Sequence, residues 1–231
     1  MEIFTNSLGN TYFWQGRYRE AIEQYQRYIQ VAKSDFNRER GYAQIAHLYY
    51  LKGDIKRSVD AINQSVKHDK RFMWMPFVLA FEQGKHTEAE KYKKEFLSIL
   101  SYTEHKERGF LRLYNYHLGI IKMKEGKTTE GIEHFKEALR HHAPIWNIDA
   151  QEDCLANAYL QTNNLDGAIT EYERILQINP NYPLAYYYLA QAFERKGEGD
   201  KAKTYYEQFL RVWNNADADV PEVITAKKRL L

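Results

Sequence analysis

Among side chains able to do chemistry, the histidines come nearest to a metal pattern. Glu137 and His141 lie four residues apart and His134 seven before His141, a spacing that puts all three on one helix face. Zinc wants a closed ligand set held by supporting partners. His141 and His142 read more simply as polar residues at a helix end, and no metal is expected. The single cysteine, Cys154, would need a nearby base and a lowered pKa to act as a nucleophile. Nothing in the sequence marks such a base, so Cys154 reads as a small packing residue. A lone cysteine also rules out an internal disulfide framework and fits a reducing compartment, hence an expected cytoplasmic location. Basic residues cluster at Arg38 with Arg40, at Lys91, Lys93 and Lys94, at Lys122, Lys124 and Lys127, and at Lys227 to Arg229. Each cluster is interleaved with acids, and 33 basic against 31 acidic residues leave a net charge of +2. Nucleic acid would ask for one coherent stripe, so these are solvated helix faces. No glycine-rich phosphate loop or paired-carboxylate cleft stands out. The chain therefore reads as a non-enzyme without cofactors.

The elements that carry these residues repeat. When the stretch from Cys154 to Leu210 is laid over itself at a shift of 34 residues, Leu155 meets Leu189, Ala156 meets Ala190, Tyr159 meets Phe193, Ala168 meets Ala202, Tyr172 meets Tyr206 and Ile175 meets Phe209. Small and large apolar residues recur in one order, with polar turns at Asn163-Asn164 and Lys196-Gly197 between them. A period of that length marks a repeat array. The same order recurs upstream, with turns at Gly16-Arg17, Gly53-Asp54, Gly84 and Gly126-Lys127. Spacing and residue classes resemble the tetratricopeptide repeat, a helix–turn–helix unit. The resemblance implies an all-α fold: a right-handed α-solenoid of about six repeats with a C-terminal capping helix. As a single array it would cover residues 1–231, with repeats at about 2–35, 39–72, 70–103, 112–145, 149–182 and 183–216 and the cap at about 219–231. The 19 tyrosines suit thin two-layer stacks, where a ring fills apolar space and its hydroxyl reaches a partner.

The third repeat departs from the template. Pro76 sits inside its first helix, which is expected to be short and to start near Pro76, or to kink. About eight residues beyond the period, Ser101–Gly109, read as helix extensions because the pattern stays periodic through them. Pro144 breaks the chain before repeat 5. At the far end Asp219 is placed as a helix cap, Pro221 in the first turn, and Val223, Ile224, Lys227 and Leu231 near one face of the capping helix. The sequence FLRVWNNADADVPEVITAKKRL also resembles the ends of repeat arrays in bacterial multidomain signalling proteins. Because a repeat begins almost at once, the chain reads as part of a longer protein. No run is apolar and long enough to cross a bilayer as a helix.

In the family that this chain resembles, first helices line a concave groove where partners bind. Carried onto this sequence, the groove takes Asn6, Asn10 and Phe13 from repeat 1, His47 and Tyr50 from repeat 2, and Trp74 from repeat 3. Tyr116 and Ile120 follow from repeat 4, Asp153 and Asn157 from repeat 5, and Tyr187 and Gln191 from repeat 6. Amides at corresponding positions can both donate to and accept from a peptide backbone, and aromatics add contact area at small entropic cost. A protein or peptide partner is therefore expected. The clamp of one subfamily for acidic chaperone tails is not expected. Only Asn10 matches it, Asn6 stands where a Lys belongs, and Arg71 and Met75 stand where Lys and Arg belong. Two other readings are carried forward: a self-associating scaffold using Trp14, Trp74 or Trp146, and a regulatory domain of a larger signalling or transcription-regulating protein.

Overall fold

The structure, a computed structural model, describes residues 1–67, 73–103, 108–141 and 152–231. Thirteen α-helices and no strand occur among them: α1 (Glu2–Trp14), α2 (Tyr18–Val31), α3 (Asp35–Leu51), α4 (Ile55–Ser65), α5 (Trp74–Glu82), α6 (His86–Thr103), α7 (Arg108–Lys124), α8 (Thr128–Arg140), α9 (Cys154–Gln161), α10 (Leu165–Ile178), α11 (Pro183–Arg195), α12 (Gly199–Val212) and α13 (Pro221–Arg229). They fall into two compact units. One comprises Met1–Tyr102 with Asn215–Pro221, the other Thr103–Asn214 with Glu222–Leu231. Packing is between neighbours along the chain, α1 on α2, α3 on α4, α7 on α8, α9 on α10 and α11 on α12, as expected of a repeat array.

Every hairpin turns by the same device. The first helix ends on a residue with positive φ: Gly16 (70°), Gly53 (74°), Gly84 (71°), Gly126 (76°), Asn163 (59°) and Gly197 (78°). The residue after it donates its N–H five positions back, as in Arg17 to Tyr12 O at 2.9 Å, Asp54 to Tyr49 O at 2.8 Å and Glu198 to Phe193 O at 2.9 Å. This bond satisfies a carbonyl that the helix leaves orphaned, and it needs the left-handed conformation that glycine adopts without strain and asparagine tolerates.

Inside each hairpin a small residue precedes a large one by sixteen positions: Gly9 and Tyr25, Ala46 and Ile62, Ala80 and Phe96, Gly119 and Phe135, Ala156 and Tyr172, Ala190 and Tyr206. All of these residues are buried. The glycines are required where the ring lies closest: a Cβ on Gly9 would stand 2.5 Å from the Tyr25 ring, and one on Gly119 would press into the Phe135 ring. Close helix crossing therefore depends on a missing side chain, and the ring opposite fills the space.

Helix α5 is short, nine residues, and Pro76 lies in its first turn, where a missing N–H costs nothing. Helix α6 runs on to Thr103 and α7 begins at Arg108, so residues 101–103 and 108–109 of the expected extension are helical; 104–107 lie outside the described residues. Arg71, Pro144 and Trp146 lie outside them as well. The face of α13 differs from the expected one. Val223 and Ala226 are buried, while Ile224 is 52% exposed, Lys227 is exposed and Leu231 lies fully in solvent. A spacing of three keeps Val223 and Ala226 on one stripe, and the helix ends at Arg229 before Leu231 can join it.

Candidate partner-binding face on the first helices

In the N-terminal unit the expected face begins with α1. Asn10 Oδ1 accepts from the Tyr25 hydroxyl at 2.8 Å and from Gln44 Nε2 at 3.0 Å. Asn6 is half-buried, its Oδ1 enclosed without a hydrogen-bond partner among the described residues. Phe13 stacks on Tyr18 with centroids 5.9 Å apart, meets Trp14 edge-on at 5.0 Å and lies 5.9 Å from the His47 ring. Burial pushes His47 down from the ordinary 6.5 to about 4, so its imidazole is neutral. The Tyr50 hydroxyl donates to Glu82 Oε1 at 2.8 Å, and burial, then that bond, push its phenol pKa up. Tyr50 and Trp74 both pack on the buried cluster of Ala46, Ile62, Met75 and Leu79, leaving part of each ring open.

The second unit repeats the scheme. Tyr116 and Ile120 of α7 pack on Phe135, Cys154, Leu155 and Ala158. Asn157 Oδ1 accepts from the Tyr172 hydroxyl at 2.5 Å, the counterpart of Asn10 with Tyr25 at the same offset of fifteen residues. Asp153, at the N-cap position of α9, is pushed up from 3.8 to about 6 by burial; hydrogen bonds with the Asn157 and Tyr182 side chains pull the other way. Tyr187 is 6% exposed, its ring against Tyr206 and Phe209 and its hydroxyl bonded with the Thr225 and Gln191 side chains. Gln191 stays half-buried. Thus Phe13 and His47 are brought together in one unit, where Asn10 meets Tyr25 and Gln44 instead, and Asp153 and Asn157 are brought together in the other.

The residues with metal or nucleophile potential take other partners. His134 Nδ1 lies 3.1 Å from Asn115 Oδ1, while His141 Nε2 lies 3.1 Å from Glu137 Oε1, so the three do not converge. Among the described residues no cluster of three metal-ligating side chains forms. Cys154 is a buried free thiol whose pKa burial pushes up, the opposite of what a nucleophile needs. Sequence reasoning missed Gln44, which joins α3 to Asn10, and Arg112. The latter is 4% exposed and donates to His141 O at 3.0 Å and to Glu152 Oε2 at 2.7 Å, while Arg174 takes Glu152 Oε1 at 2.8 Å. No sequence signal pairs residues that far apart. No described helix is long and apolar enough to cross a membrane.

Repeat models match the chain in three places: tetratricopeptide-repeat models over residues 5–34 and 184–213, and a TPR-repeat model over 156–197. A TPR repeat-containing protein of Methanocaldococcus jannaschii is 24% identical over 216 residues, covering 89% of this chain and 37% of the relative. The photosystem I assembly protein Ycf3 of a Synechococcus strain is 27% identical over 108 residues, 44% of this chain and 62% of the relative. The chain thus spans less than two thirds of the length of either. A solved structure of the Cut9–Hcn1 hetero-tetramer of the anaphase-promoting complex superposes with a TM-score of 0.51 at 17% identity, over 98% of this chain and 42% of that one, a likeness of fold. Three repeat matches, over residues 5–34, 156–197 and 184–213, and one turn device shared by the hairpins mark tetratricopeptide repeats in both units of this chain.

Proposed function

We propose that the chain is a non-catalytic protein-interaction scaffold whose first-helix face takes an extended or helical segment of a partner protein. One observation carries this reading. Of the twelve residues expected on that face, all but Tyr187 are half-buried, and they combine aromatic edges with amides already oriented by tyrosine hydroxyls. Such groups are held in place before a partner arrives, so binding loses little side-chain entropy to them. The names of relatives agree, since one is an assembly protein for photosystem I and one solved neighbour comes from a multisubunit complex. The test is a photo-crosslinking amino acid placed at Gln191, on the half-buried face of α11, or at Lys203, on the exposed side of α12. A partner captured from Gln191 and not from Lys203 supports the reading. Capture from Lys203 alone moves the interface to the second helices.

A second reading has its own observation. Ile3 and Phe4 on α1 are 82% and 68% exposed, large apolar side chains left in water. They favour self-association through α1. Light scattering that finds a strict monomer at high concentration, unchanged by Phe4→Glu, removes it.

A further inference from the structure

Helices α3, α4 and α10 begin with a side-chain cap from their own sequence. Ser34 accepts from Asn37 N, Asp54 from Arg57 N and Asn164 from Gly167 N. Helix α2 does not: its N-cap position holds Arg17, whose guanidinium is turned to Glu20. The missing acceptor comes from 198 residues along the chain, where Asp217 Oδ2 takes the Arg19 backbone N–H at 2.9 Å. Asp217 also donates its own N–H to the Gly16 carbonyl at 3.0 Å. Two residues on, Asp219 lies between two cations, 2.9 Å from Lys52 Nζ and 3.2 Å from an Arg19 Nη. The hydrogen bond from Lys52 holds its carboxyl below the usual carboxylate range. Val220, next in sequence, is 0% exposed. Asn215–Pro221 therefore sits in the N-terminal unit as a bound peptide would. It contributes one main-chain bond, one carboxylate on a helix start and one carboxylate between cations, and its Val220 side chain is withdrawn from solvent.

We infer that the surface formed by Gly16, Arg19 and Lys52 is a recognition site for acidic peptides of the form Asp-x-Asp-Val, and that Asn215–Pro221 occupies it as an internal ligand that a partner segment of the same chemistry displaces. The site lies apart from the first-helix face and does not depend on that face binding anything. The Gly16 carbonyl makes it a peptide site rather than one for a bare anion, because it needs an N–H donor that phosphate lacks. Displacement is feasible because the Arg19 and Asp219 side chains are 67% and 49% exposed, so salt and water weaken their pairing. A tethered segment competes at an effective concentration in the millimolar range, so free peptide enters readily only once the internal one is weakened.

The test uses the full chain and a fluorescein-labelled peptide of the sequence WNNADADVPE. Asp217→Asn with Asp219→Asn weakens the internal ligand and leaves the receptor intact. This variant is expected to bind the probe at least about tenfold more tightly than wild type. Adding Arg19→Glu and Lys52→Glu is expected to abolish binding, as is replacing both aspartates of the probe by asparagine. If the double variant fails to fold, as a circular-dichroism melt would reveal, Asp219→Asn alone keeps the α2 cap and is expected to give a smaller gain. A weakened variant that binds no tighter than wild type overturns the inference, and so does binding that survives charge reversal of the receptor.

Discussion

His47 and Asp153 predict opposite acid responses in the two units. Burial holds His47 at about 4 instead of 6.5, and Asp153 at about 6 instead of 3.8. Between about 6.5 and 4 the unfolded chain carries a proton on His47 that the folded chain lacks, so stability of the N-terminal unit falls as pH falls. Asp153 has the reverse sign. Its contribution is fully present below 3.8, where both states are protonated, and is lost as pH rises through about 6. With one pKa unit worth about 1.4 kcal/mol, moving from about pH 7 to about pH 5 removes about 2 kcal/mol through His47 and adds about 1 kcal/mol through Asp153. A whole-chain melt would blend the two. Hydrogen exchange read by mass spectrometry, corrected for intrinsic rates, separates them. Protection in α3 is expected to fall by about 30-fold, and protection in α9 and α10 to rise by several-fold. His47→Gln should flatten the first response alone, and Asp153→Asn the second alone. Both units responding in the same direction, or the acid loss in α3 persisting in His47→Gln, would refute burial as the cause.

Tyr172→Phe and Tyr25→Phe each remove the hydroxyl that holds an amide on the first-helix face; each is expected to lower stability by about 1 kcal/mol, measured as a shift in urea midpoint. Gly119→Ala presses a methyl into the Phe135 ring and is expected to cost about 1–3 kcal/mol, whereas Gly199→Ala meets nothing within 4 Å and should be neutral or stabilising by up to about 1 kcal/mol. Thermal melts of the pair check both signs, and equal melts would contradict the close crossing of α7 and α8. Cys154, 5% exposed with a thiol held protonated by burial, should react with a maleimide only at the rate at which the second unit opens; labelling as fast as a free thiol would disprove its burial.

Much of the fold is legible in the sequence, for local reasons. Each turn is announced by Gly16, Gly53, Gly84, Gly126 or Gly197, or by Asn163, because only residues tolerant of positive φ can close that helix end. The shortened α5 follows from Pro76, and the small residue opposite a ring follows from the volume available where two helices cross. The face of α13 was harder to read. Val223 and Ile224 are adjacent in sequence and equally apolar, and which one is buried depends on how the helix is rotated against its neighbours.

The sequence by itself determined the helical hairpins, their turns and the alternation of small and large packing residues. These are set by interactions within one repeat, where side-chain volume, backbone freedom and spacing act over a few residues. Only the tertiary structure decided what the polar groups do. It turned Asn10 and Asn157 toward tyrosine hydroxyls, wrapped His47 until its imidazole stays neutral, and joined Arg112 and Arg174 through Glu152. It also took Asp217 to the start of α2, and Asp219, which reads as a helix cap, to Arg19 and Lys52. A charged or hydrogen-bonding group is satisfied by whatever donor or acceptor the fold places within about 3 Å, and no period in the sequence encodes that partner.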